Sequence, residues 1–218
     1  MPIFSMAIIF AIAFLFVMMI QIQVFEIAFA KLGLSPQATL GILLGSLLGS
    51  AINLPIFKMK TENIGHWIKV GDQKLVWELF KPARAGYVIV AINLGGCIIP
   101  VGLCLYFLSQ QLLNPLHILI ALSMISALSY KLSQPVAGVG IGMPILIAPL
   151  TAAGLALLLD PSHAAHLAYI SGVLGVLIGA DILHLKSVNK LGAPIAAIGG
   201  AGSFDGIFMT GIIAALLA

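Results

Sequence analysis

The sequence predicts an all-α, polytopic integral membrane protein, and three observations carry that expectation. Of 218 residues, 61% are hydrophobic and only 8% are charged, against about 25% charged in soluble domains. Mean hydropathy is +1.17. Seven apolar stretches approach the roughly 20 residues that a bilayer core demands: about 3–28, 36–57, 85–108, 115–130, 143–159, 163–185 and 191–218. This composition excludes an ordinary cytosolic enzyme, a nucleic-acid binder and a disordered regulator. The whole of 1–218 reads as a single transmembrane domain.

Orientation follows from the bases. With seven spans, Lys58 through Arg84, Lys131, Lys186 and Lys190 fall on one face, and only Lys31 on the other. The positive-inside rule makes the basic face cytoplasmic, in the inner membrane of the cell, with the N-terminus inside and the C-terminus outside. The first stretch ends in Ala28-Phe29-Ala30, like a cleavage site, but no base precedes it and its apolar run is long for a signal peptide. It is therefore expected to be a retained span. The cytoplasmic insertion at 58–84 holds six of the ten bases and both tryptophans. Alternation around Gly71-Asp72 is compatible with a small hairpin, and equally with an amphipathic piece lying on the bilayer.

The spans differ in how they pack. Span two carries Gly41, Gly45 and Gly49, and span six carries Gly172, Gly175 and Gly179. Small-residue stripes of this kind let helix backbones approach closely in lipid. Cys97 and Cys104 lie seven residues apart on span three, too far along a helix for a disulfide. Spans four and five flank a Gly/Pro-rich break, Gln134 to Pro144. Span seven is too long for one straight helix, and its surplus with Gly199, Gly200 and Gly202 predicts a broken or re-entrant segment at about 192–203, with the helix starting near Ser203. Such backbone persists at membrane depth only where protein or a wet cavity satisfies it.

Ionisable groups inside spans mark functional sites by default. Asp181 and Asp205 both lie in apolar sequence with no base one turn away, and His184 shares a helix face with Asp181. The competing structural role for each acid is a helix N-cap. Counting from the flanking bases sets Asp181, Asn53, Asn93 and Gln134 in the cytoplasmic third of the membrane. Asn53 and Asn93 sit in the same tetrapeptide, Ala-Ile-Asn-Leu, at 51–54 and 91–94. With the break before span seven, Asp205, Gly202 and Ser203 would join that layer. Asp160, His163 and His166 have metal-like spacing, but a capped, solvated helix start at Asp160-Pro161 explains them. Glu26 reads as interfacial. No metal and no cofactor is expected.

Residues 179–185 (Gly-Ala-Asp-Ile-Leu-His-Leu), 190–194 (Lys-Leu-Gly-Ala-Pro) and 199–208 (Gly-Gly-Ala-Gly-Ser-Phe-Asp-Gly-Ile-Phe) resemble an uncharacterised prokaryotic membrane-protein family, domain of unknown function 1614. Ala91–Gly96, Pro135–Pro144 and Phe29–Ser35 share the likeness, which implies no established activity. A looser resemblance is to the intramembrane aspartyl proteases, whose two motifs are Tyr-Asp and Gly-x-Gly-Asp. Phe204-Asp205 is near the first and Gly179-Ala180-Asp181 near the second, in reversed order and without the glycine before the acid. That resemblance implies Asp181 and Asp205 as a catalytic pair acting on a transmembrane-helix substrate. The alternative is an ion- or proton-coupled small transporter or channel using the same aspartates. In either case Asn53, Asn93, Gln134, His184, Gly202 and Ser203 are the expected substrate- or ion-binding groups. A non-catalytic scaffold is the third reading. The expected partner is the lipid bilayer, with no nucleic acid.

Overall fold

The computed structural model describes residues 19, 21–60, 86–136, 140–190, 195–200 and 206–218. Helix α1 (Gln21–Lys31) turns by 118° into α2 (Pro36–Gly49). Ser35 caps α2 by accepting from the Ala38 N–H, and Pro36 opens it, as a missing N–H is tolerated in a first turn. The chain then leaves the helical pattern. Pro55 disfavours helix at the residue before it, and β1 (Asn53–Lys60) follows instead. Beyond residues 61–85 comes β2 (Tyr87–Asn93), Tyr-Val-Ile-Val-Ala-Ile-Asn, a β-branched run suited to a sheet.

A π-helical turn, Leu94–Ile98, leads from β2 into α3 (Ile99–Ser109). Helix α4 (Pro115–Leu132) begins at the Asn114 cap, whose side chain accepts from the Leu116 N–H. A two-stranded hairpin follows, β3 (Gln134–Val136) with β4 (Gly140–Gly142). Helix α5 (Ile147–Leu159) ends at Asp160, which caps the 3-10 turn Pro161–His163 before α6 (Ala164–Val176). Helix α6 runs into a second π-helical turn, Leu177–Ile182, and a 3-10 segment, Leu185–Lys190. Strand β5 (Ile195–Ile198) and α7 (Gly206–Leu217) complete the chain.

The protein is therefore mostly helical, as expected, but carries a small sheet that an all-α architecture omits. The order is β1-β2-β5. Strands β1 and β2 are antiparallel, with Asn53 opposite Asn93, and β5 runs parallel to β2. Strand β1 lies at the edge, where a proline is admissible, and the register shifts between Pro55 and Phe57. This sheet shortens two expected spans. Residues 36–57 give a helix ending at Gly49, and 85–108 give one starting at Leu94. Among the described residues, two helices are long and apolar enough to cross a membrane, Pro115–Leu132 and Pro161–Ile182, or three if α1 and α2 form one broken span. They measure about 27 and 33 Å at 1.5 Å per residue.

Glycines set how closely the helices pack. A Cβ at Gly175 would overlap Ile125 of α4 and one at Gly179 would overlap the Ser126 carbonyl, while Gly172 faces Thr210 and Ala214 of α7. Gly49 rests on the Gly95 backbone, at 3.0 Å from where its own Cβ would stand. Upstream on the α2 stripe, Gly41 meets nothing, so only the lower end of that stripe is a contact. The main core gathers Phe29, Leu32, Phe107, Ile125, Leu167, Tyr169, Ile170, Phe208 and Ile212. Many large apolar side chains point outward, including Leu48 at 72% and Leu158 at 82% exposure. Apolar surface on this scale marks contact with lipid or protein, and it fits a membrane protein.

Candidate functional site

Three of the predicted polar residues, Asn53, Asn93 and Asp181, meet where both π turns, the base of the sheet and the turn after β5 come together. Asn93 is the hub and is 1% exposed. Its Oδ1 accepts from the Gly96 N–H at 2.8 Å, capping the first π turn. Its Nδ2 donates to the Ser50 carbonyl at 2.7 Å and to Asn53 Oδ1 at 2.9 Å. One carboxamide thus ties the end of α2, the start of β1 and the entry to α3. The shared Ala-Ile-Asn-Leu tetrapeptides are cross-strand partners, and the Leu94 N–H closes the same base onto the Ile52 carbonyl.

Strand β5 delivers a glycine turn onto this platform. The Gly200 N–H returns to the Ala197 carbonyl at 3.1 Å, with Gly199 at φ +69°. A left-handed φ is nearly free for glycine and costly for other residues. Space also demands glycine there, since a Cβ on Gly199 would stand 2.7 Å from Cys97 Cβ and 2.8 Å from the Gly96 backbone. Gly200 sits against Asn53, its virtual Cβ 3.4 Å from Oδ1.

Asp181 reaches the same turn from the other side. It belongs to the second π turn, and its Oδ2 accepts from the Gly199 N–H at 3.3 Å. Such turns leave irregular backbone and are frequent at functional sites. His184 bends back over this turn, with Nδ1 at 3.1 Å from the Gly179 carbonyl and its ring 4.7 Å from that of Tyr130. A carbonyl only accepts, so Nδ1 carries the proton, which leaves Nε2 available as acceptor in the neutral ring.

The structure therefore gathers Asn53, Asn93 and Asp181 around Gly199-Gly200, with His184 on the α4 side of the same π turn. Gln134 heads β3 opposite Gly142, with an exposed side chain. Its hairpin approaches the sheet through Ile141, which packs against Val88 and Val188 together with Ala196. Asp205, Gly202 and Ser203 lie outside the described residues, as do most of the 58–84 insertion and the first part of span one. Asp160 acts as the expected cap, accepting from the His163 N–H at 3.2 Å. Among the described residues no three His, Cys, Asp or Glu side chains are grouped to hold a metal.

Gly96 and Gly199 are site residues that side-chain chemistry did not single out. Their signal is positional, because Gly95-Gly96 and Gly199-Gly200 each follow an isoleucine-bearing strand that ends just before a break. These residues fall inside a match to one family model, Protein of unknown function (DUF1614), over residues 47–217. The chain belongs to this family. The match takes in the sheet, both π turns and α7, but not the Phe29–Ser35 segment of the sequence likeness. No curated protein and no solved structure matches the chain.

Proposed function

We propose that the chain is a multi-span protein of the cytoplasmic membrane in which Asp181 and Asp205 form an intramembrane aspartyl protease dyad. The observation that carries this reading is the antiparallel ladder between α6 and α7. At one end Asp181 bonds to Gly199, and in the middle Gly172 meets Thr210. At the far end Leu216 and His166 both meet the 31–32 turn, through Lys31 Nζ and the Leu32 backbone. In sequence, Asp205 falls between Gly199, to which Asp181 bonds, and α7, which packs along α6, and the reading sets the two acids at one depth on these adjacent segments.

In such a dyad the two carboxylates share one proton. The ionised acid takes a proton from water as the water oxygen bonds to the scissile carbonyl carbon, and the protonated acid donates to the carbonyl oxygen. Collapse of that intermediate breaks the C–N bond, with the proton passed to the leaving amine. The substrate is a transmembrane segment entering from the bilayer, cleaved near the cytoplasmic face. In purified protein, a single-span reporter should be cut, and Asp181→Asn and Asp205→Asn should each lower the rate by about a hundredfold or more, the scale of general acid–base catalysis. Cleavage that persists in Asp181→Asn would end the reading.

The two π turns favour a second reading, ion- or proton-coupled transport, because broken helices at membrane depth supply backbone ligands. Cation- or pH-driven uptake into vesicles, lost in both Asp→Asn variants while the reporter stays intact, would select it.

A further inference from the structure

The carboxamide orientations at the sheet base assign Asn53 a chemical role. Oxygen and nitrogen of an amide are distinguished by their partners, and here the main chain decides. The Gly96 N–H can only donate, so the atom of Asn93 facing it is Oδ1. The other arm of Asn93 is therefore Nδ2, in agreement with its contact to the Ser50 carbonyl, which can only accept. Nδ2 also donates to Asn53, so Asn53 must turn its oxygen inward. Its own Nδ2, carrying two N–H donors, is left directed away from the clasp. Asn53 is an exposed residue, and among the described residues this nitrogen meets no acceptor. The oxygen of the same amide lies 3.4 Å from where a Cβ on Gly200 would stand, which sets the Asn53 side chain one residue from the Gly199 N–H that holds Asp181.

We infer that Asn53 is a carbonyl-recognising residue of the site, donating from Nδ2 to a main-chain carbonyl of an extended peptide segment beside Asp181. A cation would need oxygen ligands, whereas the group Asn53 turns outward is an N–H donor. A peptide carbonyl needs a donor, which is what the buried clasp leaves pointing outward. Asn93 is then a positioning residue, since it fixes the amide of Asn53 without reaching the segment itself. The inference rests on the protease reading for its substrate class.

The test uses the full chain in lipid nanodiscs and a fluorescent single-span peptide of Leu and Ala with a Gly-Gly break near its cytoplasmic end. Binding is measured in the Asp181→Asn background, where the peptide survives, and cleavage in the chain with Asp181 intact. Asn53→Ala removes the donor and should weaken binding about three- to tenfold, the range of one neutral hydrogen bond. Asn53→Asp keeps an oxygen for Asn93 but turns the outward donor into a charged acceptor, and should weaken binding more than Asn53→Ala. A merely structural role predicts the opposite order, because aspartate preserves the clasp. Unchanged binding in either variant, the reversed order, or no binding by the parent would overturn the inference. If the peptide is cut in an Asp181-dependent way that ignores Asn53, the inference alone fails. If it binds through Asn53 and is never cut, the protease reading fails and carbonyl recognition stands.

Discussion

Replacing Gly199 by alanine probes the junction at its tightest point. Two costs add. Alanine in the left-handed region loses about 1–2 kcal/mol, and Gly199 holds φ +69°. Its new methyl would also stand 2.7 Å from Cys97 Cβ and 2.8 Å from both Cys97 N and Gly96 C. Two of those three atoms are main chain and cannot swing aside, so overpacking adds about 1–3 kcal/mol. The sum is about 2–5 kcal/mol. Gly33 supplies the control, since its φ is +73° and nothing lies within 4 Å of its virtual Cβ. Gly33→Ala should therefore show the conformational cost alone, about 1–2 kcal/mol. Thermal unfolding in detergent micelles, followed by circular dichroism, compares the two directly. A chain of this length shifts by roughly 2–4 °C per kcal/mol. If Gly199→Ala were as stable as Gly33→Ala, the close stacking of the turn on the first π turn would be refuted.

Three further outcomes follow from the same geometry. Asn93→Ala strands the buried Gly96 N–H and the Ser50 carbonyl, and should cost about 2–6 kcal/mol at about 1–3 kcal/mol per orphaned group, read as a lowered unfolding midpoint with faster amide exchange at Gly96. Gly175→Ala pushes a methyl into Ile125 and should destabilise the α4–α6 pair by about 1–3 kcal/mol, whereas Gly154→Ala, with open space around it, should be neutral or stabilising by the same unfolding assay. Single cysteines at Lys58 and Lys186 should label with a membrane-impermeant maleimide only from the cytoplasmic side, and one at Lys31 only from outside. Labelling of all three from one side would overturn the orientation expected from the basic residues.

What was legible in the sequence follows from which signals are local. The cap at Asp160-Pro161 announces the α6 region, because a cap needs only its own first turn. The break at Gln134–Pro144 and the lead-in before α7 were likewise written in glycine, proline and excess length. The sheet was hidden for a physical reason. Val88-Ile89-Val90-Ala91-Ile92 is a continuous apolar run, and such a run fits a buried strand or a membrane helix equally well. Pairing of β2 with β5 joins residues about a hundred positions apart, which no local pattern encodes. The matched tetrapeptides flagged Asn53 and Asn93 together, but their roles differ. Asn93 is consumed by three hydrogen bonds, and only the structure reveals that Asn53 keeps a donor outward. Gly199 was noticed as a helix breaker, whereas its closeness to Cys97 and its bond to Asp181 depend on the tertiary fold.

The proposed dyad requires Asp181 and Asp205 to face each other, a geometry that chemical cross-linking reads without intermediaries. In a background with Cys97→Ala and Cys104→Ala, the pair Asp181→Cys and Asp205→Cys is treated in membranes with mild oxidant and with a one-carbon bis-thiosulfonate. The pair Lys58→Cys and Ile89→Cys, cross-strand partners in β1 and β2 with Cα atoms about 4.5–5.5 Å apart, serves as the positive control. Disulfides form when Cα atoms are about 4.4–6.8 Å apart, and the one-carbon reagent extends that reach slightly. The account predicts cross-linking of positions 181 and 205 by the short reagent at a yield comparable to the control. Cross-linking of the control pair with none between 181 and 205, except through much longer reagents, would contradict it.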